Sequence, residues 1–252
     1  MPKCPLCLLA MLGLVGSLEA ESRLGQLLQT PWLPIAGLVV LGLVVRGIAL
    51  QLGKGTALGA LAWGRRFLFP DHASLRTLVL APPPAEQADS SLGFMLDLFA
   101  RTLGGPFSFH IREGALDGDG VARAASEARA SAEPVLVLAT SFALVHLIEA
   151  SAGRDLHLPA GSRVMQTGGF KGRSREVAPD ELRRELSALF AVPETHVVSE
   201  YGMTELSSQL YEGTLAAALG LLSSPRRHGV YFAPPWVRVS AVDPVSLEAL
   251  PA

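Results

Sequence analysis

The sequence has few cysteines and no excess of basic residues, and each of these features argues against a class of protein. Its two cysteines, Cys4 and Cys7, both precede residue 8, so residues 9–252 contain no cysteine with which to build a disulfide framework. A Cys-x-x-Cys pair binds zinc in company with a second pair, which the chain lacks. Lysine and arginine together number 21 against 23 acidic residues, so the chain has none of the basic excess that indicates a nucleic-acid binder.

The chain has apolar side chains in quantity. Hydrophobic residues make up 49% of the sequence and charged residues 17%, a balance that supplies a core and argues against bulk disorder. A length of 252 residues suits one large domain, or one domain with an appendage. The composition is therefore that of a folded protein.

The first 52 residues differ from the rest of the chain. Lys3 precedes an apolar run over 4–16, which resembles the charged and apolar regions of a signal peptide. A second apolar run over 33–52 has the length of about 20 residues that spans a bilayer. It contains Arg46, however, and a central arginine costs roughly 2.5–3.5 kcal/mol on membrane insertion. We predict a hydrophobic lead-in over 1–55, with a membrane anchor as the alternative.

Segments that favour strands alternate with segments that favour helices between residues 75 and 200. Continuous apolar runs indicate strands buried on both faces, and apolar residues three and four positions apart indicate one face of a helix. This alternation is typical of an α/β fold with a parallel or mixed sheet flanked by helices. The predicted strands are 75–80, 107–111, 134–139, 162–167 and one that begins at Val197; the predicted helices are 90–103, from the Asp117 cluster to about 133, from 140 or 141 past His146, and from Pro179 through Phe190.

Three further expectations concern the tail and two side chains. Residues 231–232 and 237–242 are predicted as strands in a more antiparallel tail. His146 lies among leucine and valine residues and is expected to be a satisfied core residue rather than a catalyst. Arg183 lies off the apolar stripe of its helix and is expected to face solvent.

The loop after the strand over 162–167 has residues that suit ATP. Gly168 and Gly169 permit the close backbone approach that brings amide groups to a nucleotide. Lys171 follows them and supplies positive charge against polyphosphate. Because strands of a parallel sheet end at one edge, where nucleotides commonly bind, this loop is a candidate ATP site. The alternative is a glycine turn beside a solvated basic face.

A second loop follows Val197 and Val198. Its Tyr201 offers a flat ring near a base or ribose, and the hydroxyl of Thr204 can donate to a phosphate oxygen. Glu205 can hold Mg²⁺, a cation that prefers oxygen ligands. We therefore predict that the two loops together form a site for ATP and Mg²⁺.

The second loop also carries a motif that resembles a known superfamily. Its sequence, Tyr201-Gly202-Met203-Thr204-Glu205, resembles the core motif of the adenylate-forming ligases. In order along the chain, several segments together resemble the acyl-protein synthetase family of bacterial fatty-acid reductase systems. Those segments are 74–84, 89–92, 139–147, 167–172, 199–205 and 234–239, followed by Asp243-Pro244.

The resemblance implies an enzyme that activates a fatty acid with ATP as an acyl-adenylate, releases pyrophosphate and passes the acyl group to a protein thiol. The implied cofactors are ATP and Mg²⁺, and the implied partners are a fatty acid and an acyl-acceptor protein. The implied site residues are Thr204 and Glu205 at the phosphates and Mg²⁺, Tyr201, Gly202 and Met203 beside the adenylate, and Gly168 and Gly169 in the nucleotide and acyl pocket.

The resemblance covers roughly residues 60–252, and we predict a partial domain over 56–252. The family's Ser/Thr/Gly-rich phosphate loop has no counterpart before residue 60. The sequence printed here stops before the family's ribose-binding aspartate and its small C-terminal domain with the catalytic lysine. We therefore expect a cytoplasmic ligase with impaired turnover. The alternative is a non-catalytic binding module that keeps the fold and is tethered to a membrane through residues 1–52.

Overall fold

The structure is a computed structural model that describes residues 58–87, 89–152, 154–169, 175–203, 208–223, 228–240, 242–243, 245–246 and 248. The predicted lead-in over 1–55 lies outside these residues, so its membrane contact and its boundary stay predictions. Within the described part of the chain, no helix combines the length and the apolar character that crossing a bilayer requires.

The described residues alternate between helices and strands, as the sequence predicts. The strands are β1 (Leu75–Leu80), β2 (Gly104–Phe109), β3 (Ile111–Arg112), β4 (Ala115–Leu116), β5 (Val135–Thr140), β6 (Arg163–Thr167), β7 (Val197–Met203), β8 (Ser208–Glu212) and β9 (Tyr231–Phe232). The helices are α1 (58–68), α2 (Ser91–Thr102), α3 (Gly118–Ser131), α4 (Ser141–Ala150), α5 (Pro179–Phe190) and α6 (Thr214–Ala218), with a 3₁₀ turn at Glu194–His196.

Seven strands form one mixed sheet in the order β2-β1-β5-β6-β7-β8-β9. The first five in this order are parallel, whereas β8 and β9 run antiparallel to their neighbours. The chain moves outward from β1 to β2 on one side, and from β5 through β6 to β7 on the other. The order therefore reverses between β1 and β5, which places a topological switch point at the ends of those two strands.

Helices cover both faces of this sheet, which explains why its central strands are apolar throughout. All six residues of β5 are buried. Val135 and Val137 belong to the core cluster that includes residues of α3, α4 and α5, and Leu136 and Leu138 belong to the cluster on the other face with α1 and α2. Successive side chains of a strand point to opposite faces, so one continuous apolar run serves both cores.

The predicted caps of the helices are confirmed. Ser90 caps α2 and accepts a hydrogen bond of 3.0 Å from the amide of Gly93. Asp117 caps α3 and accepts one of 2.8 Å from the amide of Gly120, as expected for a turn-and-cap cluster. Thr140 caps α4. These caps satisfy backbone amides that the first turn of each helix leaves without a partner.

Two predictions about strands are wrong. Tyr201, Gly202 and Met203 were predicted to lie in a loop, but they continue β7 because β8 pairs with them in antiparallel register. Residues 237–240 were predicted as part of a strand and have no strand geometry. Strand β8 and helices α1 and α6 were not predicted, since their sequences lack a clean apolar period.

Arg163, at the start of β6, is fully buried and joins the end of α1 to the sheet. Its guanidinium donates to both carboxylate oxygens of Asp71, at 2.6 and 3.2 Å, and to the carbonyls of Leu68 and Gly161. Burial alone would raise the pKa of Asp71, but the hydrogen bonds from Arg163 and His72 outweigh it and hold that pKa well below its usual value. The segment before β1 is therefore fixed to β6 by charge-assisted hydrogen bonds.

We expect Asp71→Ala to lower the free energy of unfolding by about 2–3 kcal/mol at pH 7, because it leaves a buried guanidinium without its anion. The pKa of Asp71 is depressed in the folded state, so its contribution is present above pH 4 and is lost as the pH falls further. Urea unfolding at pH 7 and pH 3 should show the difference from wild type shrinking at the lower pH. Asp119→Ala, which removes an exposed pair with Arg154, is the matched control and should change stability little.

Candidate functional site

A large cavity of about 1410 Å³ lies at the carboxyl ends of β1 and β5, where the strand order reverses. Leu80, Ala81 and Pro82 line it from the end of β1, and Thr140 lines it from the end of β5. Open α/β sheets bind their ligands at such a point, because the two connections leave in opposite directions and open a crevice. The topology by itself therefore indicates this cavity as a binding site.

The walls of the large cavity come mostly from the first turns of α2 and α4 and from apolar side chains. Ser90, Ser91 and Thr140 bring two helix N-termini to it, and such ends favour anionic groups. The apolar lining includes Leu92, Ile111, Leu116 and Phe142. His146 also lines it: its side chain is 47% exposed and lies 3.7 Å from Glu149. The expectation of a core histidine is therefore wrong, because the apolar neighbours of His146 turn away from it on the helix.

The glycine pair after β6 borders the large cavity. Gly168 adopts φ of 70°, in the left-handed region that favours glycine, and the hydroxyl of Ser141 donates to its carbonyl at 2.8 Å. The glycine turn is thus tied to the first turn of α4. A Cβ at Gly168 or at Gly169 would meet no heavy atom of the described residues within 4 Å, so this part of the chain leaves the space beside both glycines open.

A smaller cavity of about 540 Å³ lies on the other side of the same glycine pair, and Gly168 and Gly169 line both cavities. Its other walls come from the ends of β6, β7 and β8, the first turns of α5 and the segment before β9. They include Gln166, Thr167, Val177, Pro179, Arg183, Ser199, Glu200, Glu212, His228, Gly229 and Tyr231. The two cavities therefore share a boundary at the predicted glycine loop.

A buried ion pair forms one wall of the small cavity. Arg183 and Glu212 have side chains only 1% and 2% exposed, and an Arg183 nitrogen lies 2.8 Å from a carboxylate oxygen of Glu212. The same carboxylate accepts from the amides of Ser199 at 3.1 Å and Gly229 at 2.6 Å. The expectation that Arg183 faces solvent is therefore wrong, because its partner lies on β8, a strand that the sequence does not predict.

Glu200 is a second buried carboxyl in the small cavity, and no cation pairs with it among the described residues. It is 5% exposed and accepts a hydrogen bond from the hydroxyl of Thr167, its neighbour across β6 and β7. Burial raises the pKa of Glu200 to about 7, and the hydrogen bond from Thr167 only partly opposes this. A glutamate in this setting exchanges its proton near neutral pH.

Of the other predicted site residues, three lie on a described strand and three lie outside the described residues. Tyr201, Gly202 and Met203 lie on β7, and the ring of Tyr201 is half exposed and packs edge-on against Tyr231 at 6.3 Å. Because Thr167 pairs with Glu200, Gly168 and Tyr201 are the next residues along two adjacent strands. The structure therefore brings the predicted glycine turn close to Tyr201.

Lys171, Thr204 and Glu205 lie outside the described residues, so their roles stay predictions. In the part of the chain that the structure describes, no group of three or more His, Cys, Asp or Glu side chains is arranged to hold a metal ion. The predicted Mg²⁺ ligand, Glu205, is not within that part.

Sequence reasoning missed Glu200 and Glu212 as site residues. Glu200 carries a usable signal, because Val198 and Glu200 are two positions apart and must lie on the same face of a strand that starts with buried valines. A carboxyl on a buried face, next to a loop already suspected of binding, is a candidate site residue. Glu212 has no comparable signal, since its burial depends on the pairing of β8 with β7.

Comparisons with known proteins give matches among solved structures. No protein-family model matches the chain, and neither does any curated protein. An ATP-bound RpMatB–BxBclM chimera, B3, matches with a TM-score of 0.48, 14% identity and 79% coverage of this chain. A second ATP-bound chimera of the same pair, B1, matches with a TM-score of 0.47, 15% identity and the same 79% coverage. The chain spans 32% of the length of each chimera, so the activity of a whole enzyme is a proposal here.

We expect Glu200→Gln to raise the free energy of unfolding at pH 8 by up to about 3 kcal/mol and to change it little at pH 4. The pKa of Glu200 is raised in the folded state from 4.5 to about 7, so the wild type loses stability as the pH rises through that interval. The neutral amide avoids this loss. Urea unfolding of wild type and Glu200→Gln at pH 4 and pH 8 measures the difference in their free energies of unfolding.

Glu212→Gln is the matched control for that experiment. It removes the charge of a buried carboxylate that Arg183 does neutralise, so stability should fall at pH 8 by about 3 kcal/mol. Equal losses in the two variants would show that Glu200 is as well neutralised as Glu212 and would contradict the raised pKa.

Proposed function

We propose that this chain forms the acyl-binding and nucleotide-binding part of an adenylate-forming ligase, which activates a carboxylic acid with ATP. The observation that carries the proposal is the shared boundary of the two cavities at Gly168 and Gly169. A carboxylate held in the large cavity and the α-phosphate of a nucleotide held in the small cavity would meet at that boundary. Holding two reactants next to each other supplies much of the rate of such a reaction.

The reaction requires no nucleophilic side chain from the protein. An oxygen of the acyl carboxylate attacks the α-phosphorus of ATP, the bond from that phosphorus to the bridging oxygen breaks, and pyrophosphate leaves with the electron pair. The protein contributes positioning and fixed donors for the charge that develops at phosphorus. Backbone amides at the glycine turn suit this role, because no side chain of the described residues covers Gly168 or Gly169.

We further propose that the acid is a fatty acid and that the acceptor is a protein thiol. Support for the fatty acid comes from the size of the large cavity and from its apolar walls at Leu92, Ile111 and Phe142. Its helix N-termini provide an anion-favouring end for the carboxylate. The proposal that the acceptor is a protein thiol is based on the sequence resemblance. Mg²⁺ enters as the ion that accompanies the phosphates of ATP, with Glu205 as its proposed ligand.

Exchange of radiolabelled pyrophosphate into ATP tests this function on the full chain. The expected result is exchange that depends on an added fatty acid such as dodecanoate, because adenylation is reversible while pyrophosphate is present. Calorimetric titration with ATP separates binding from turnover. ATP binding without exchange would support the nucleotide site but contradict the proposed catalysis. Absence of both exchange and ATP binding would overturn the proposal.

We expect Gly169→Leu to reduce ATP binding and any exchange by more than about tenfold while the fold persists. Gly169 is exposed and a Cβ there meets no atom of the described residues within 4 Å, so the added side chain projects into the boundary between the cavities without displacing the core. Gly169→Ala adds one methyl group and should have a smaller effect. Circular dichroism monitors folding, and equal activity of the two variants would contradict a reaction centre at this boundary.

A further inference from the structure

Among the described residues, only one of the two carboxyl oxygens of Glu200 has a hydrogen-bond partner. Oε2 accepts the hydroxyl hydrogen of Thr167, and no other described residue hydrogen-bonds the group. Oε1 lies against the backbone of Gly202, at 2.5 Å from the position that a Cβ would occupy there. Since any larger residue at 202 would displace Oε1, the glycine of the Tyr-Gly pair makes room for the glutamate.

No cation among the described residues pairs with Glu200, and Arg183, which lines the same cavity, is paired with Glu212. The groups that face it are the hydroxyl of Thr167 on β6, the phenol of Tyr211 opposite it on β8, and the phenol of Tyr231 on β9, which also lines the cavity. Glu212, in the same cavity, accepts from a guanidinium and two backbone amides. The carboxylate of Glu212 thus has a cation and amide donors, whereas the surroundings of Glu200 favour its neutral, protonated form.

We propose that Glu200, in its protonated form, contacts the ligand of the small cavity and donates a hydrogen bond to an anionic oxygen. The oxygen belongs to a phosphate or to a carboxylate, and this assignment rests on the proposed function, in which both groups enter the two cavities. Because Oε2 already accepts from Thr167, the proton sits on Oε1, which has no hydrogen-bond partner among the described residues. Glu200 is then a binding residue that carries a hydrogen without adding negative charge.

The chemistry of the site favours a donor over an acceptor at this position. An ionised Glu200 would repel a phosphate or carboxylate across a poorly solvated cavity, where charges interact strongly. A carboxylic acid instead forms a short, charge-assisted bond to such an oxygen. Burial raises the pKa of Glu200 to about 7, so the free protein already holds this proton on about half of its molecules at neutral pH.

Isothermal titration calorimetry of ATP into the full chain, from pH 6 to pH 8, tests this role. If only the protonated form binds, the apparent affinity of the wild type weakens about tenfold across this range, since the competent fraction falls from nearly all to about a tenth. Titrations in buffers of different ionisation enthalpy should show proton uptake. ATP itself titrates near this range, so the decisive quantity is the difference from Glu200→Gln, whose amide donates at every pH.

Glu127→Gln is the matched control, because it removes an exposed carboxyl on α3 that does not line the small cavity, and it should behave as wild type. A second arm repeats the titrations with dodecanoate alone. Proton uptake on binding ATP indicates that Glu200 contacts a phosphate oxygen. Proton uptake on binding dodecanoate alone indicates that it contacts the acyl carboxylate.

Three outcomes overturn the role of Glu200. If ATP binding shows the same pH dependence and the same proton uptake in wild type and in Glu200→Gln, Glu200 has no role in binding, while the proposed function stands. Proton release in place of uptake shows that the group accepts as a carboxylate. Failure of both ATP and dodecanoate to bind overturns the proposed function together with this role.

Discussion

The buried ion pair between Arg183 and Glu212 is the interaction on which the site edge of the sheet depends. Glu212 ends β8 and receives hydrogen bonds from α5, from the amide of Ser199 on β7, and from Gly229 before β9. One carboxylate therefore joins four segments of the chain at the point where the sheet changes from parallel to antiparallel. Removing either charge would leave the other buried without its counter-charge, which is far more costly than the loss of a surface pair.

Because that pair fixes β8 against β7, it also decides what surrounds Glu200. The antiparallel partner brings Tyr211 opposite Glu200 and closes it from solvent. The same sheet edge thus holds two buried glutamates in contrasting surroundings: Glu212 accepts from a guanidinium and two backbone amides, whereas Glu200 has a raised pKa in the absence of a described cation. A buried carboxyl with a raised pKa is common where a protein binds or converts charged ligands.

The parallel half of the fold was largely predictable. Strand β1 occupies the predicted residues, and the caps at Ser90 and Asp117 act as predicted, because these signals are local and depend on a few neighbouring residues. Predictions that required knowledge of a distant partner were wrong. Arg183 is buried because Glu212 approaches it from 29 residues away, and Tyr201 lies in a strand because β8 returns to pair with it. His146 is exposed because the cavity opens beside its helix.

The sequence by itself determined the alternation of strands and helices, the glycine turn at Gly168, and the order of segments that suggests acyl activation. Each of these depends on residue type and on local periodicity, which the chain carries without reference to its fold. Only the tertiary structure decided that the two cavities meet at the glycine pair and that Glu200 lacks a described cation. Both are consequences of strand order and register, and these arise from packing between residues far apart in the chain.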